Sequence, residues 1–206
     1  GDDYKANVAK FFIDGSQMNI CLTEPYEKKK LKEMGLPDNY KGELVWHDDE
    51  IKELFLKLTE AGYQIHTHVM GDGAAKQVLD GFEYVKDVTG YNGNRNVMTH
   101  IMLIREEDKK RMGTLGVIAA MQPIWGCVES VYEFGYIPSF GKYRSERFYP
   151  LKTLLENGVK VAFGSDFPIG GMINPYQGLQ TAITRTLPRG LAQSGEIFDR
   201  YKNYKM

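Results

Sequence analysis

The chain has 206 residues, of which 42% are apolar and 12% aromatic, enough to build one domain with a substantial buried core. That composition argues against intrinsic disorder. The 26 Lys and Arg residues are balanced by 27 Asp and Glu residues, so the chain lacks the positive excess that would bind nucleic acid or an anionic membrane surface.

The first predicted elements are a strand, a long connection and a helix. The strand covers residues 8–14, an apolar run that ends in a polar residue. Residues 15–47 form a connection longer than a βα loop needs, and such loops often cover an active site. Apolar side chains spaced at i, i+3, i+4 and i+7 then predict a helix at residues 48–61, with Asp48 or Asp49 as its N-cap.

The rest of the chain alternates between strands and helices in the same way. Further strands are predicted at residues 63–68, 96–100, 116–122 and 159–166. Further helices are predicted at residues 73–88, from about residue 106, from residue 150 and at residues 175–185. Because a helix follows each strand, the sequence predicts an α/β fold built of parallel βα units.

Cysteine usage and the ends of the chain bear on its location. Cys21 and Cys127 are far apart and show no CxxC spacing, so we expect neither a disulfide framework nor a thiolate metal site. No apolar run approaches the roughly 20 residues that span a bilayer, and residues 1–5 lack the apolar core of a signal peptide. We therefore expect a soluble, cytoplasmic protein in which residues 1–206 form a single domain.

Histidines and one aspartate lie at the ends of predicted strands. In a barrel of parallel strands these ends converge on one mouth, which would bring His68, His100 and Asp166 within reach of one ion. Two imidazoles and a carboxylate suit zinc or a similar divalent metal. The alternative is a structural role: each histidine hydrogen-bonded to its neighbours, and Asp166 as a helix N-cap or in an Asx turn.

Six short motifs occur together in a recognisable order. They are KFFIDGS (10–16), HVMGDGA (68–74), TH (99–100), MQP (121–123), ER (146–147) and GSD (164–166). Their order and approximate spacing resemble family 3 of the amidohydrolase superfamily, whose members are often called YtcJ-like. The resemblance covers about residues 8–187.

The resemblance implies a fold and a reaction. The fold is a distorted (β/α)8 TIM-type barrel, of which this chain would supply about strands four to eight with their helices, while the small β-sandwich domain of the family would be missing. The reaction is hydrolysis of amide-like C–N bonds in small molecules, with one or two divalent ions, most of all zinc.

The resemblance also implies site residues. His68 corresponds to the metal-binding histidine of the fifth strand, His100 to that of the sixth, and Asp166 to the acid of the eighth. Lys10 corresponds to the lysine of the fourth strand, which in related enzymes can be carboxylated and bridge two metals. Strand alternation puts Asp14 on the same face as Lys10, about 13 Å along the strand, so at most one of them can reach a given ion. The alternative for Lys10 is an ordinary lysine directed to solvent.

The implied mechanism gives Asp166 the catalytic role. It would accept a proton from the metal-activated water and pass it to the leaving amine. Arg147 and Asp72 match family positions near the site. Arg147 could orient a polar group of the substrate, and Asp72 could cap a helix or orient His68. Structural roles are equally open for both.

A His-x-His on the first strand begins the barrel in this family, and His66-Thr67-His68 does not fit that position, because only His100 follows it. With His68 on the fifth strand, both ends of the chain look cut, residues 199–205 lack a final barrel helix, and the chain is expected to be a fragment. We therefore expect weaker metal binding than in a complete site, little or no hydrolysis by the fragment, and self-association through the exposed barrel edges.

Two other function classes remain as alternatives. One is a non-catalytic domain derived from a barrel, in which the histidines are structural and the chain binds a ligand or a partner. The other is a metal phosphoesterase, which would need a further cluster of acidic residues or histidines.

Overall fold

The computed structural model describes residues 5–91, 93–127, 132–169, 174–186 and 188. Within these residues, five parallel strands form one sheet, and each strand pairs with the next along the chain. They are β1 (Val8–Phe12), β2 (Gln64–Val69), β3 (Val97–His100), β4 (Ile118–Met121) and β5 (Val161–Phe163). All five predicted strands are confirmed: β2 is shifted by one residue from its predicted range, and the other four strands are shorter than theirs.

Seven α-helices lie in the described part of the chain. They are α1 (Lys28–Met34), α2 (Asp48–Glu60), α3 (Asp72–Thr89), α4 (Glu106–Thr114), α5 (Ile137–Ser145), α6 (Leu151–Glu156) and α7 (Pro175–Thr184). The five predicted helices are confirmed. Residues 199–205, at which no final barrel helix was expected, lie outside the described residues. None of the described helices is long and apolar enough to cross a membrane.

Two helices were not predicted, and one predicted cap was wrong. In α1 only Leu31 is buried among lysines, so no apolar periodicity marks the helix, and α5 contains Gly141 with a non-helical φ of 77°. At α2 the N-cap is His47 rather than Asp48 or Asp49. The carboxylate of Glu50 accepts a hydrogen bond from the His47 backbone N–H (2.9 Å), which moves the helix start one residue earlier.

The helices cover one face of the sheet. Side chains on this face, including Ile65, Val69 and Ala119, are fully buried. The other face is more open: Val8 and Phe12, on β1, are 48% and 58% exposed. Consecutive parallel strands with helices on one face are the arrangement of part of a (β/α) barrel, whose lumen would be the open face.

The long connection folds over the C-terminal ends of β1 and β2. Its Cys21 carbonyl accepts a hydrogen bond from the Gly73 N–H (2.9 Å), at the start of α3. A Cβ on Gly71 would overlap the same carbonyl, so the chains approach this closely only with glycine there. The connection therefore forms one wall of the edge at which the strand-end residues lie.

A charged network joins α3 to α4. The Arg111 guanidinium donates to Asp80 (2.6 Å) and Glu83 (2.6 and 2.8 Å) on α3 and to Asp108 (2.7 Å) on α4. The Asp108 side chain is fully buried, and its other cation is Arg105 (2.6 Å). The network thus neutralises a carboxylate that has no access to water.

We expect Arg111→Met to lower the free energy of unfolding by about 2 kcal/mol, because the buried Asp108 carboxylate loses one of its two cations. Urea denaturation of both proteins measures the difference. Lys152→Met is the matched control, since Lys152 is 86% exposed and lies 3.8 Å from Glu156. It should change stability by less than about 0.5 kcal/mol. Equal losses in the two variants would contradict a role for the network.

Candidate functional site

His68 lies on the open face of β2. Its register partner on β1 is Phe12, and the two ring centroids are 4.7 Å apart. The imidazole is hydrogen-bonded to the backbone of Gly15, at the start of the long connection. The other ring nitrogen, Nε2, is buried and has no hydrogen-bond partner among the described residues. An unpaired buried acceptor is costly in a folded protein unless it binds something.

His100 comes to the same face through its backbone conformation. In the sheet register it pairs with Val69, so regular alternation would point it toward the helices. Its φ is 77°, in the left-handed region, and the chain turns at this residue. As a result the His100 ring lies 4.5 Å from the His68 ring, edge to face, and is 4% exposed.

Two side chains hold the His100 ring. Its Nδ1 lies 2.7 Å from Oε1 of Gln122, the residue after β4. The indole of Trp125 stacks on the ring at a centroid distance of 5.1 Å and an interplanar angle of 15°. Because an amide oxygen can only accept, the hydrogen on Nδ1 points to Gln122 and the lone pair is on Nε2.

Asp166 and Lys10 lie near this pair of histidines. Asp166 follows β5, is half-buried and has a φ of 55°. Burial lowers the pKa values of His68, His100 and Lys10, and the Asp166 carboxylate opposes this lowering for each of them. Lys10 is the register partner of His66 on the open face of β1, so the predicted orientation of Lys10 toward the lumen face agrees with the register.

The structure brings these residues together only in part. The rings of His68 and His100 are in contact, whereas Asp166 and Lys10 act on them at longer range. In the ranges that the structure describes, no three His, Cys, Asp or Glu side chains converge closely enough to hold one ion. The donor set nevertheless suits a divalent metal, because His68 has an unpaired Nε2 and His100 presents the lone pair of its Nε2.

The histidines of this face are held in their neutral form. Burial, with the Lys10 charge, lowers the pKa of His66 to about 4. Burial, with His100 as a second cause, lowers the pKa of His68 to about 4 as well. His66 is hydrogen-bonded to the Thr99 hydroxyl and lies one step deeper along β2 than His68. Neutral imidazole is the form that binds metal.

These lowered pKa values predict how the metal-free protein responds to acid. In the unfolded chain histidine titrates near about 6.5, so between about pH 4 and 6.5 the unfolded state binds more protons. The contribution of His66 and His68 to stability is therefore complete above that window and is lost as the pH falls through it. We expect the melting temperature, measured in chelator, to drop more between pH 7 and pH 5 for the wild type than for a His66→Asn, His68→Asn double variant.

Comparing the wild type with the double variant also cancels the contribution of Asp14 to the pH dependence of stability, which has the opposite sign. Burial raises the pKa of Asp14 to about 7, against three backbone hydrogen bonds that lower it, so this residue contributes less stability as the pH rises. Asp14 is unchanged in the double variant, and its effect cancels in the difference. An equal drop in both proteins would show that the two histidines are not held neutral by the fold.

Asp14 lies beyond the strand whose alternation predicts its position. Strand β1 ends at Phe12, and the Asp14 carboxylate is buried. It accepts hydrogen bonds from the backbone N–H groups of Cys21 (3.0 Å), Met70 (2.9 Å) and Gly71 (2.8 Å). The strand alternation that predicts a shared face with Lys10 ends before Asp14, and the Asp14 carboxylate joins the long connection to the end of β2.

Asp72 and Arg147 line a cavity of about 230 Å³ together. The Asp72 carboxylate accepts hydrogen bonds from the backbone N–H (3.0 Å) and the hydroxyl (2.5 Å) of Thr23, which fixes the long connection to the start of α3. The Arg147 guanidinium stacks on the Tyr143 ring at 3.8 Å and donates to the Tyr143 carbonyl (2.8 Å). Another cavity, of about 230 Å³, is bordered by Ile124, Leu179 and Ser165, the residue before Asp166.

Sequence reasoning missed the residues that hold the two histidines. Gln122 was part of a motif but received no role, and neither Trp125 nor Gly15 was considered as a partner of a histidine. A signal for Gln122 exists, because a polar residue directly after an apolar strand lies at the same edge as the strand-end histidines. No local pattern marks the contact of Trp125, which depends on the short 3₁₀ helix Pro123–Gly126.

The comparisons with known proteins agree with this architecture. The model of the amidohydrolase family matches residues 3–206. The chain is 29% identical over 179 residues to YtcJ of Bacillus subtilis (strain 168), covering 85% of this chain and 31% of that protein. It is 23% identical over 188 residues to the N-substituted formamide deformylase of Arthrobacter pascens, covering 87% and 33%.

A solved structure shares the fold. The chain superimposes on an uncharacterized metal-dependent hydrolase from Pyrococcus furiosus with a TM-score of 0.68 and 28% identity, covering 85% of this chain and 34% of that one. The chain thus spans about a third of the length of the relatives that it matches.

Proposed function

The chain belongs to the amidohydrolase family, and from that premise we propose that it is part of a metal-dependent hydrolase that cleaves amide-like, non-peptide C–N bonds. One observation carries the proposal: His68 and His100 are in ring contact at the C-terminal edge of a parallel sheet, with Nε2 of His68 buried and unpaired among the described residues. The name of the Pyrococcus furiosus structure supports the dependence on metal.

His68 and His100 would hold the metal through their Nε2 atoms, and Asp166 would add a carboxylate. This set favours zinc among the divalent ions. Lys10, on the same face, would be a further ligand once its neutral amine has added CO2 and released a proton to form a carboxylated lysine, as the family resemblance implies. The lowered pKa of Lys10, caused by burial, favours the neutral amine that such a modification needs.

The residues of the chain then divide the chemistry between them. When bound, a divalent metal makes water acidic and polarises the scissile carbonyl. Asp166 is the catalytic base: its carboxylate accepts the proton of the attacking water and returns it to the leaving amine. Arg147, whose guanidinium is fixed on Tyr143, orients a polar group of the substrate, while Asp72 keeps the long connection in place through Thr23.

Small N-acyl and N-formyl amines are the substrates that we propose. The Arthrobacter pascens relative is named as a deformylase of N-substituted formamides, and the mostly apolar cavity bordered by Ile124, Leu179 and Ser165 suits a small apolar substituent. A cytoplasmic location fits this role, because Cys21 and Cys127 are buried and neither forms a disulfide within the described residues.

Full activity is proposed for a longer protein. The chain offers His68, His100, Asp166 and Lys10, whereas the resemblance implies two more histidines on a first strand. We therefore expect this chain to bind zinc more weakly than a complete site does, and to hydrolyse substrates slowly or not at all. Stoichiometric, tight zinc in the purified chain would contradict this expectation.

Self-association is proposed through the sheet. Strands β1 and β5 are the edges of the described sheet, and Phe12 on the open face is 58% exposed. Unpaired strand edges and exposed apolar groups favour pairing. A clean monomer at high concentration in size-exclusion chromatography would count against it.

Metal titration together with a hydrolysis screen tests the proposed function. Zinc is added to the chelator-treated chain in a calorimeter, and the loaded protein is assayed on N-acyl and N-formyl amines. Saturable binding of zinc supports the proposal even without turnover, because turnover is assigned to the longer protein. A chain that binds no zinc would contradict it.

The same test separates the second candidate, a non-catalytic domain derived from a barrel. This candidate is favoured by one observation, the lack of a ready three-ligand cluster among the residues that the structure describes. It predicts no zinc binding and no hydrolysis, with His68 and His100 acting only in packing.

A further inference from the structure

Gln122 and Trp125 enclose the ring of His100 from two directions. Gln122 follows β4, and its Oε1 lies 2.7 Å from Nδ1 of His100. The amide is itself oriented, since its Nε2 points to the Ala120 carbonyl (3.5 Å) and leaves Oε1 toward the ring. Gln122 is 4% exposed, so water does not compete for this contact.

This contact decides which nitrogen of the neutral ring carries hydrogen. An amide oxygen accepts and cannot donate, so it stabilises the tautomer with hydrogen on Nδ1. In this tautomer Nε2 has a free lone pair. With hydrogen on Nε2 instead, the ring would present a donor to the site, and Nδ1 would face an oxygen that repels its lone pair.

Trp125 fixes the remaining freedom of the ring. The indole lies nearly parallel to the imidazole, with 15° between the planes and 5.1 Å between the centroids. Rotation of His100 out of its plane would break this stack and the hydrogen bond to Gln122 at once. The His68 ring also packs against the His100 ring, with 4.5 Å between the centroids and 69° between the planes.

We propose that Gln122 is a positioning residue that holds His100 in the Nδ1–H tautomer, with Trp125 fixing the ring plane, so that the Nε2 lone pair is ready for a metal before any metal binds. The second half of this inference, the use of Nε2 to bind metal, rests on the proposed function. Its first half, the choice of tautomer, holds for the metal-free protein and is tested there.

The experiment compares wild type with Gln122→Met, which removes the acceptor and keeps the length, and Gln122→Glu, which keeps an acceptor oxygen. Long-range ¹H–¹⁵N correlation spectra of the metal-free chain at pH 7.5 report the tautomer of each imidazole, and with four histidines in the chain single His variants assign the signals. We expect Nδ1–H for His100 in wild type and Gln122→Glu. In Gln122→Met the hydrogen moves to Nε2, fully or in part.

Zinc affinity, measured by competition with a chromophoric chelator, is the second readout. We expect Gln122→Met to bind zinc about 10 to 100-fold more weakly, the usual effect of removing the partner of a metal-binding histidine, and Gln122→Glu to bind at least as well as wild type. Gln64→Met is the matched control, because Gln64 lies at the opposite end of the sheet and donates to the Arg95 carbonyl. Its tautomers and zinc affinity should match those of wild type.

The two readouts separate the possible failures. If wild type binds no zinc, the proposed function fails, and the spectra still decide the role of Gln122. An Nε2–H tautomer in the wild type, or an unchanged Nδ1–H tautomer in Gln122→Met, overturns the inference. If the far-UV circular dichroism of Gln122→Met shows that this variant does not fold, Gln122→Glu provides the test instead. An Nε2–H tautomer of His100 in Gln122→Glu would overturn the inference, because its carboxylate oxygen is an acceptor and should select Nδ1–H.

Discussion

Asp14→Ala is expected to lower the free energy of unfolding by about 4 kcal/mol, a large part of the stability of a domain of this size. The substitution removes the acceptor of three backbone N–H groups, those of Cys21, Met70 and Gly71. Each buried donor left without a partner costs about 1–3 kcal/mol, offset in part because a carboxylate at 1% exposure no longer has to be desolvated. Urea denaturation followed by tryptophan fluorescence gives the value.

Asp38→Ala is the control for this substitution, because Asp38 belongs to the same connection and is exposed. It should change stability by less than about 0.5 kcal/mol. Asp14→Asn should fall between the two, since an amide keeps one acceptor oxygen but turns its NH2 group toward a backbone donor. A loss below about 1 kcal/mol in Asp14→Ala would mean that the three N–H groups find other partners.

Asp14→Ala should also affect the proposed metal site, because Gly15 follows Asp14 directly and the backbone of Gly15 is hydrogen-bonded to His68. Loosening the connection at Asp14 therefore also loosens the imidazole. Asp14→Ala is expected to weaken zinc binding even under conditions in which the variant remains folded.

His68→Ala is expected to weaken zinc binding by about 100-fold or more, beyond the effect of losing a hydrogen-bond partner of a ligand. The substitution removes the buried nitrogen that has no partner among the described residues, and it also removes the ring that packs on His100. Fold stability should suffer less than affinity, since the protein no longer buries an unpaired acceptor. Calorimetric titration of the chelator-treated protein measures the change.

His47→Ala provides the comparison for this experiment. His47 is exposed, lies at the N-cap of α2 and belongs to neither the strand ends nor the proposed ligands. Its removal should leave zinc affinity within about twofold of wild type. If zinc were bound by this surface histidine instead, His47→Ala would lose affinity and His68→Ala would not. If His68→Ala and wild type bind zinc equally, His68 is not a ligand.

The fold was largely predictable because its elements are short, regular and separated by polar turns. Apolar runs mark all five strands, and α2 and α3 have apolar stripes that match their buried sides. The helices α1 and α5 were missed for opposite reasons. In α1 a lysine-rich segment is helical with a single buried residue, and in α5 a proline and a glycine with positive φ interrupt any regular pattern.

Site residues were predictable where their position along the chain determines where they lie. His68, His100 and Asp166 come at or after the ends of parallel strands, and such ends share one edge whatever the intervening helices are. The face of the sheet on which each side chain lies was less predictable. Strand alternation does not reach Asp14, because β1 ends two residues earlier, and His100 comes to the face of His68 because of a left-handed φ.

The sequence by itself determined the alternation of strand and helix, the family and the edge of the sheet at which the polar residues gather, because these follow from apolar periodicity and motif order. Only the tertiary structure decided which nitrogen of each histidine is free, since that depends on Gly15, Gln122 and Trp125, residues that lie up to 53 positions away and meet the histidines only after folding. Backbone hydrogen bonds within a strand are local and repeat along it, whereas the partner of a ring nitrogen is a single contact between distant segments.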